Sequence, residues 1–102
     1  MATRFEVDWD PAKAASNRSR HGVTFDEAMT VFLDPLALSR LDEDHGESEE
    51  RWVTLGLSAA GRLVLVVHTH AELADDRVSI RLISARRPTR RETSQYEEES
   101  VR

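Results

Sequence analysis

The first apolar residues of the chain alternate with acidic ones, and this period of two predicts a short strand over residues 5–9. Asp10 and Pro11 follow as a typical helix N-cap and first helical residue. A first helix is therefore predicted from Pro11 to about Arg20, and Gly22 is suited to cap its C-terminus.

A second helix is predicted from Thr24 to Asp34. Thr24 and Glu27 match a capping box, in which each side chain accepts a hydrogen bond from the other residue's backbone N–H. The apolar residues of this segment recur at the spacing of one helix face, and they are Phe25, Ala28, Met29 and Phe32. Pro35 ends the helix, because proline disfavours a helical conformation in the residue before it.

The middle of the chain has the two-residue period of strands. Four strands are predicted there, over residues 36–41, 51–57, 62–70 and 77–86. In the last of them Ile80 and Leu82 alternate with Ser79 and Arg81, so one face is apolar and the other polar. Residues 58–61 and 71–76 are predicted to be turns, and short turns join antiparallel neighbours.

Thr89 and Glu92 match a second capping box and predict a last helix towards Glu99. The predicted order is β-α-α-β-β-β-β-α. It describes an α+β fold with an antiparallel sheet of about four to five strands, two N-terminal helices and one C-terminal helix. The 102 residues suffice for one hydrophobic core, so a single domain over residues 1–102 is expected.

Composition narrows the class of protein. The chain has no cysteine, which excludes disulfides and thiolate metal sites. Its start lacks an apolar run typical of a signal peptide, and the longest apolar run, residues 63–67, is far short of the ~20 residues of a membrane helix. A cytoplasmic location is therefore expected. The net charge of −5 argues against a protein that coats nucleic acid.

Charge is unevenly distributed along the chain. Acidic residues concentrate in segments 42–50 and 97–99, whereas five arginines lie within residues 81–91. These arginines precede and begin the predicted last helix, and a helix N-terminus already favours anions. The planar guanidinium fork suits phosphate, although a GC-rich genome would also explain the preference for arginine over lysine. The segment predicts a phosphate site.

Several short stretches, in their order and spacing, resemble BrnT-type toxins, the ribonuclease half of bacterial type II toxin–antitoxin pairs. They are FEVDWDP (5–11), NRSRHGV (17–23), VFLDP (31–35), ERWVTLG (50–56), RLISARR (81–87) and TRRE (89–92). The resemblance implies a RelE-like fold and metal-independent RNA cleavage that needs no cofactor and inhibits translation and growth. Arg20 stands where the family motif is expected to have lysine, which keeps the charge but loses a titratable amine.

The resemblance also implies partners. A cognate antitoxin would neutralise the protein, and DNA would be contacted only indirectly, through the antitoxin. No membrane partner is expected, and the toxin–antitoxin complex could contain several copies of the chain. The alternative function is a non-catalytic protein-binding module that acts through the acidic segment and the arginines.

Metal-free RNA cleavage needs a base for the 2′-hydroxyl, an acid for the leaving 5′-oxygen and fixed positive charge at the phosphate. Histidine suits proton transfer, whereas arginine stays protonated and supplies charge. With the resemblance, this chemistry predicts catalytic roles for His21, Arg51, Arg81 and Arg86. RNA phosphate contacts are predicted for Arg20, Arg87, Arg90 and Arg91. Each residue also has a structural interpretation, such as helix capping, an ion pair or a solvated surface.

His68 and His70 lie two residues apart on one predicted strand and could hold a metal. No third ligand is evident at a useful spacing, so no metal site is predicted and both are expected at exposed strand ends. His45, in the acidic segment, is expected to be exposed. The large aromatic residues are predicted to belong to the core rather than to stack on bases, and they are Trp9, Trp52, Phe25 and Phe32.

Overall fold

The structure is a computed structural model and describes residues 3–42 and 50–100. Its helices are α1 (Pro11–His21), α2 (Phe25–Met29) and α3 (Arg90–Ser100), and a 3-10 turn (Thr30–Leu33) follows α2. Its strands are β1 (Arg4–Trp9), β2 (Leu38–Asp42), β3 (Arg51–Leu57), β4 (Leu63–His68), β5 (Ala71–Ala74) and β6 (Arg77–Arg86). No helix of the described residues is long and apolar enough to cross a membrane.

The predicted α+β class, with two N-terminal helices and one C-terminal helix, is confirmed and is consistent with a RelE-like fold. The sheet has the order β1-β6-β4-β3-β2, and β5 also pairs with β6. It differs from the prediction in two respects. Within the described residues the sheet has six strands, and it is mixed rather than wholly antiparallel, because β1 runs parallel to β6.

Both differences have physical causes. Segment 71–76, predicted as a turn, contains β5, a strand of only four residues that are all exposed, so no buried face marks it as a strand. The parallel pairing of β1 with β6 joins strands about seventy residues apart, where no local turn signals the pairing.

Local capping signals fix the helix ends as predicted. Asp10 accepts a hydrogen bond from the Ala12 N–H at 2.9 Å, and Gly22 adopts a left-handed conformation, with φ of 69°, after α1. The Thr24 hydroxyl accepts from the Glu27 N–H at 3.1 Å at the start of α2. α2 is shorter than predicted, since the backbone tightens into the 3-10 turn from Thr30.

Helices lie on both faces of the sheet. The main core is formed where α1, α2 and the 3-10 turn pack on one face, here called the helix face, and it includes Phe25, Val31, Val66, Ile80 and Leu82. A smaller apolar cluster lies under α3 on the opposite face and includes Val53, Leu55, Leu65 and Tyr96. The Tyr96 hydroxyl donates to the Asp34 carboxylate at 2.6 Å, which fastens α3 to the chain after the 3-10 turn.

A bulge in β6 changes which residues share a face. Leu82 is the cross-strand partner of His68, but Ser84 is the partner of Val67, so Ile83 is an extra residue. The alternation therefore reverses after Leu82, and Ala85 joins Leu82 in the buried core. As a result Arg86 emerges on the face opposite that core.

Asn17 ties α1 to β6 beyond the end of β1. Its side-chain oxygen accepts from the Ala85 N–H at 3.0 Å, and its nitrogen donates to the carbonyls of Ala85 at 2.8 Å and Val23 at 3.1 Å. The pairing of β1 with β6 ends at Leu82. The buried amide of Asn17 thus replaces a neighbouring strand for Ala85.

Candidate active site

Three of the predicted catalytic residues project from one face of the sheet, here called the arginine face. Trp52, His68 and Leu82 are cross-strand partners and share the helix face. Arg51 and Arg81 each precede one of these residues, so both lie on the opposite face. Arg86 joins them there because of the bulge, and its cross-strand partner is Leu65.

These three arginines are spread out along the sheet and do not form a single cluster. Arg51 and Arg81 lie at the same level on either side of β4, so their backbones are about 10 Å apart. Arg86 lies four β4 residues further along, or about 13 Å away. The geometry therefore suits successive phosphates of an extended strand better than one phosphate held by all three side chains.

Arg86 is held by Glu92. Its two terminal nitrogens donate to the two carboxylate oxygens at 2.9 and 3.0 Å, and one of them also donates to the Arg87 carbonyl at 3.2 Å. A guanidinium has five N–H groups, so two remain beyond these three bonds. The Arg86 side chain is 39% exposed, which leaves room for an anion beside the pair.

Glu92 also closes the capping box of α3. Its carboxylate accepts from the Thr89 N–H at 2.8 Å, and the Thr89 hydroxyl accepts from the Glu92 N–H at 3.1 Å. The hydrogen bond from Arg86 is the main reason that the pKa of Glu92 falls to about 2. Glu92 is therefore a weak base that fixes Arg86 against the start of α3.

Arg81 is held much more loosely. Its guanidinium lies 3.5 Å from the carboxylate of Asp8, its partner on β1. The two side chains are 52% and 72% exposed, and such surface pairs contribute little to stability. An approaching phosphate can therefore replace Asp8 at small cost.

The arginines that follow Arg86 do not all share its direction. The hydrogen bond from Arg62 is the main cause of the lowered pKa of Glu27, and the charge of Arg87 adds to it. The exposed Arg87 side chain is therefore close enough to Glu27 of α2 for its charge to be felt there. Arg90 and Arg91 are the exposed first two residues of α3, and no ion pair between described residues involves them.

Arg20 and His21 end α1 and are exposed. Arg20 lies beside Ile83 and Ser84 at the outer edge of β6, where it lines a shallow cavity. The hydrogen bonds of Asn17 to Ala85 place the same half of α1 against the end of β6. His21 follows Arg20 at the end of α1, which packs on the helix face, whereas Arg86 lies on the opposite face.

A second cavity, of about 370 Å³, lies on the arginine face between α3 and the strands β2 and β3. Leu55 and Leu65 contribute apolar wall, whereas Arg40, Glu92 and Gln95 contribute polar groups. Because Leu65 is the cross-strand partner of Arg86, this cavity adjoins the Arg86–Glu92 pair.

A family model described as the ribonuclease toxin BrnT of type II toxin–antitoxin systems matches residues 9–92. The chain belongs to this BrnT family. No curated protein matches the chain. The match includes every predicted site residue, from Arg20 to Arg91. Membership makes the chain a ribonuclease toxin and implies two partners, an RNA substrate and a cognate antitoxin.

In this BrnT toxin the expectation that His68 is an exposed strand end is wrong. The side chain is buried on the helix face, with its ring edge-on to Phe32. Its Nδ1 donates to the Thr69 carbonyl at 2.8 Å, so Nε2 accepts from the Thr54 hydroxyl at 2.7 Å. Both ring nitrogens are occupied, and no metal cluster of three or more His, Asp or Glu side chains occurs among the described residues.

The other aromatic and histidine predictions have mixed outcomes. Phe25 is buried, and Trp9 and Phe32 pack against the core as expected. Trp52 is only partly buried, and the centroid of its ring lies 5.8 Å from the centroid of the exposed His70 ring. His45 and most of the acidic segment lie outside the described residues.

Burial of His68 predicts that the stability of this toxin depends on pH. Burial lowers the pKa of His68 from 6.5 to about 4, and the hydrogen bond to Thr69 only partly opposes this shift. The unfolded chain therefore binds a proton near pH 6.5, whereas the folded protein does so near pH 4. We expect the free energy of unfolding to be unaffected by this group above pH 6.5 and to fall by about 3 kcal/mol as the pH drops to 4.

Urea unfolding of the wild type and of His68→Gln between pH 4 and 8 would measure this effect. The difference between their unfolding free energies should shrink steadily below pH 6.5. Glu92, whose pKa is about 2 in the folded protein, stabilises the fold fully above pH 4.5 and loses this effect only at lower pH. This loss is the same in both proteins, so it does not affect the difference between them. Parallel curves for the two proteins would show that His68 is not a buried neutral group.

Proposed function

We propose that this toxin cleaves RNA on its arginine face without a metal ion. The 2′-hydroxyl attacks the adjacent phosphorus, the bond to the 5′-oxygen breaks, and the products carry a 2′,3′-cyclic phosphate and a 5′-hydroxyl. The observation that carries the proposal is that Arg51, Arg81 and Arg86 share the face of the sheet on which α3 packs.

In this proposal Arg86 stabilises the phosphorane. Negative charge builds on the phosphate oxygens in the transition state, and a pre-positioned cation favours that state over the ground state. Glu92 holds the guanidinium in place, and the two free N–H groups can meet the phosphate. The adjoining cavity of about 370 Å³ offers space for a neighbouring base.

The remaining arginines bind the rest of the strand. Arg51 and Arg81, about 13 Å along the sheet from Arg86, would take phosphates further along the RNA. Arg90 and Arg91 at the start of α3, and Arg20 at the edge of β6, would take phosphates beyond the scissile one. Arg87, whose charge acts on Glu27 of α2, would contact a strand that passes the end of β6.

His21 is the proposed proton carrier, because imidazole can both accept and donate protons near neutral pH. It is exposed and ends the helix half that packs beside Ala85. His68 and His70 face the other side of the sheet. Cleavage would occur in the cytoplasm, where RNA is translated, and would stop growth until the antitoxin covers the toxin. Any contact with DNA would be made by the antitoxin.

Incubation of the purified toxin with RNA in excess EDTA tests the proposal. We expect cleavage with 2′,3′-cyclic phosphate ends, identified by mass spectrometry, because the positive charge comes from guanidinium groups. The same oligonucleotide with 2′-deoxyribose throughout should stay intact, since it lacks the nucleophile. Cleavage that requires added Mg²⁺, or that also occurs in the deoxy substrate, would contradict this mechanism. Intact RNA in every condition would favour the non-catalytic binding module.

A further inference from the structure

A small cavity lies at the outer edge of β6, and of its lining residues only Arg20 has a part in the proposed function above. It has a volume of about 240 Å³, and its lining residues are Lys13, Ser16, Arg20, Ile83 and Ser84. It lies beyond the end of β1, where α1 rather than a strand flanks β6.

Two features of the fold create this cavity. Lys13, Ser16 and Arg20 are spaced by three and four residues, so they lie on one side of α1. The β6 bulge inserts Ile83 and turns Ser84 to the arginine face, opposite Val67. Because the buried Asn17 holds α1 against Ala85, the two walls are fixed relative to each other.

The residues that line this cavity carry positive charge and hydroxyl groups but no negative charge. They contribute an ammonium, a guanidinium and two hydroxyls, and none of the five residues is acidic. Among residues 3–42 and 50–100, no ion pair involves Lys13 or Arg20. In a chain of net charge −5, two cations without a carboxylate partner in a shared hollow favour an anion with several acceptor oxygens.

We infer that this cavity binds a backbone phosphate next to the scissile one. The inference rests on the proposed function, because it places the RNA strand along β6. Ser84 and Arg86 lie on the same face two residues apart, or about 6–7 Å. A strand whose phosphate reaches Arg86 therefore brings a neighbouring phosphate to the cavity, where Arg20 and Lys13 supply charge and Ser16 and Ser84 supply hydroxyl donors.

Binding of an uncleavable RNA tests the cavity apart from catalysis. The probe is a 2′-O-methyl oligonucleotide of eight residues, titrated into the toxin at several salt concentrations. Each phosphate contact to a single strand contributes about 0.7 to the slope of log K against log salt. We expect Arg20→Ala and Lys13→Ala each to lower this slope by up to about 0.7 and to weaken binding roughly fivefold to tenfold at low salt.

Arg18→Ala is the matched control. Arg18 is an exposed arginine on the same helix, but it lines a different hollow with Trp9 and Asp26. It removes the same charge without touching the cavity, so its slope should stay at the wild-type value. Ser84→Ala should weaken binding about threefold with no change of slope, because it removes a neutral donor. Thermal melts establish that each variant is folded.

Equal slopes for Arg20→Ala and Arg18→Ala would overturn the cavity and leave the cleavage proposal standing. The converse is also distinguishable: if ordinary RNA is not cleaved while only Arg20→Ala and Lys13→Ala lose slope, the cleavage proposal fails and the cavity stands. Weakened antitoxin binding with unchanged RNA binding would assign the cavity to an acidic segment of the antitoxin, which also overturns the inference.

Discussion

Replacing Arg86 with alanine is expected to lower kcat/KM for RNA cleavage by roughly 100- to 1,000-fold. The change removes a fixed cation at the phosphate where charge develops, and a single such donor is commonly worth about 3–4 kcal/mol of transition-state stabilisation. Single-turnover cleavage of a labelled oligonucleotide in EDTA measures the effect free of product release.

Arg77→Ala is the control for this experiment. Arg77 begins the same strand on the same face and also forms an ion pair, at 2.7 Å to Glu6. Arg77 lies at the far end of β6, so Arg77→Ala should change the cleavage rate by less than about twofold. Like Arg86→Ala it breaks an ion pair with a glutamate, so it controls for the loss of such a pair. Comparable rates for Arg86→Ala and Arg77→Ala would remove Arg86 from the mechanism.

Replacing Asn17 with alanine is expected to lower the free energy of unfolding by about 3–5 kcal/mol. Its amide satisfies three backbone groups, the N–H and carbonyl of Ala85 and the carbonyl of Val23, in a position only 1% exposed. Each buried group left without a partner costs about 1–3 kcal/mol. For a domain of this size that is a large share of the total stability.

Urea unfolding followed by circular dichroism measures this loss, and Ser19→Ala provides the comparison. Ser19 is exposed on the same helix, so its substitution should change stability by no more than about 0.5 kcal/mol. Hydrogen exchange adds a local readout, since the Ala85 amide should lose its protection in Asn17→Ala. A loss of stability below 1 kcal/mol, with that amide still protected, would refute the role given to Asn17.

Local signals made most of the helices and strands predictable from the sequence. The Thr24 N-cap and the capping box of Thr89 with Glu92 act within four residues, and they begin α2 and α3 as expected. The carboxylate of Glu27 instead bonds Ser58 and Arg62, so the box predicted at Thr24 is formed only by the Thr24 hydroxyl. The alternation in Ile80 and Leu82 marks a buried strand face, and both residues are 1% exposed. Such features depend on neighbouring residues alone, so a single sequence contains them.

Features that depend on distant residues were not predictable. The partner of β1 is set by packing of the whole sheet, and β5 is short and has no buried face. His68 is buried because the Phe32 ring and Thr54 come to it from elsewhere in the chain. Nothing in the residues around His68 distinguishes it from an exposed strand end.

The candidate site likewise has some features that could be predicted from the sequence and others that could not. The arginine segment and its helix start were evident from residue type and spacing, as a phosphate site requires. The sequence did not indicate that the charge of Arg87 acts on Glu27 of α2, or that Glu92 both caps α3 and holds Arg86. It also gave no sign that Lys13 and Ser84, far apart in the chain, line one cavity.

The extra residue in β6 has a consequence for how this segment tolerates change. Arg81 and Arg86 are separated by an odd number of positions, which in an unbroken strand would send them to opposite sides. The bulge adds one residue and so places Arg81 and Arg86 on the same face. For this geometry the presence of a residue at position 83 matters more than the identity of its side chain. Deleting one residue of this segment would turn Arg86 towards the core and would make α3 begin on the wrong face of the sheet. Exchanging Ile83 for another residue would leave the geometry intact.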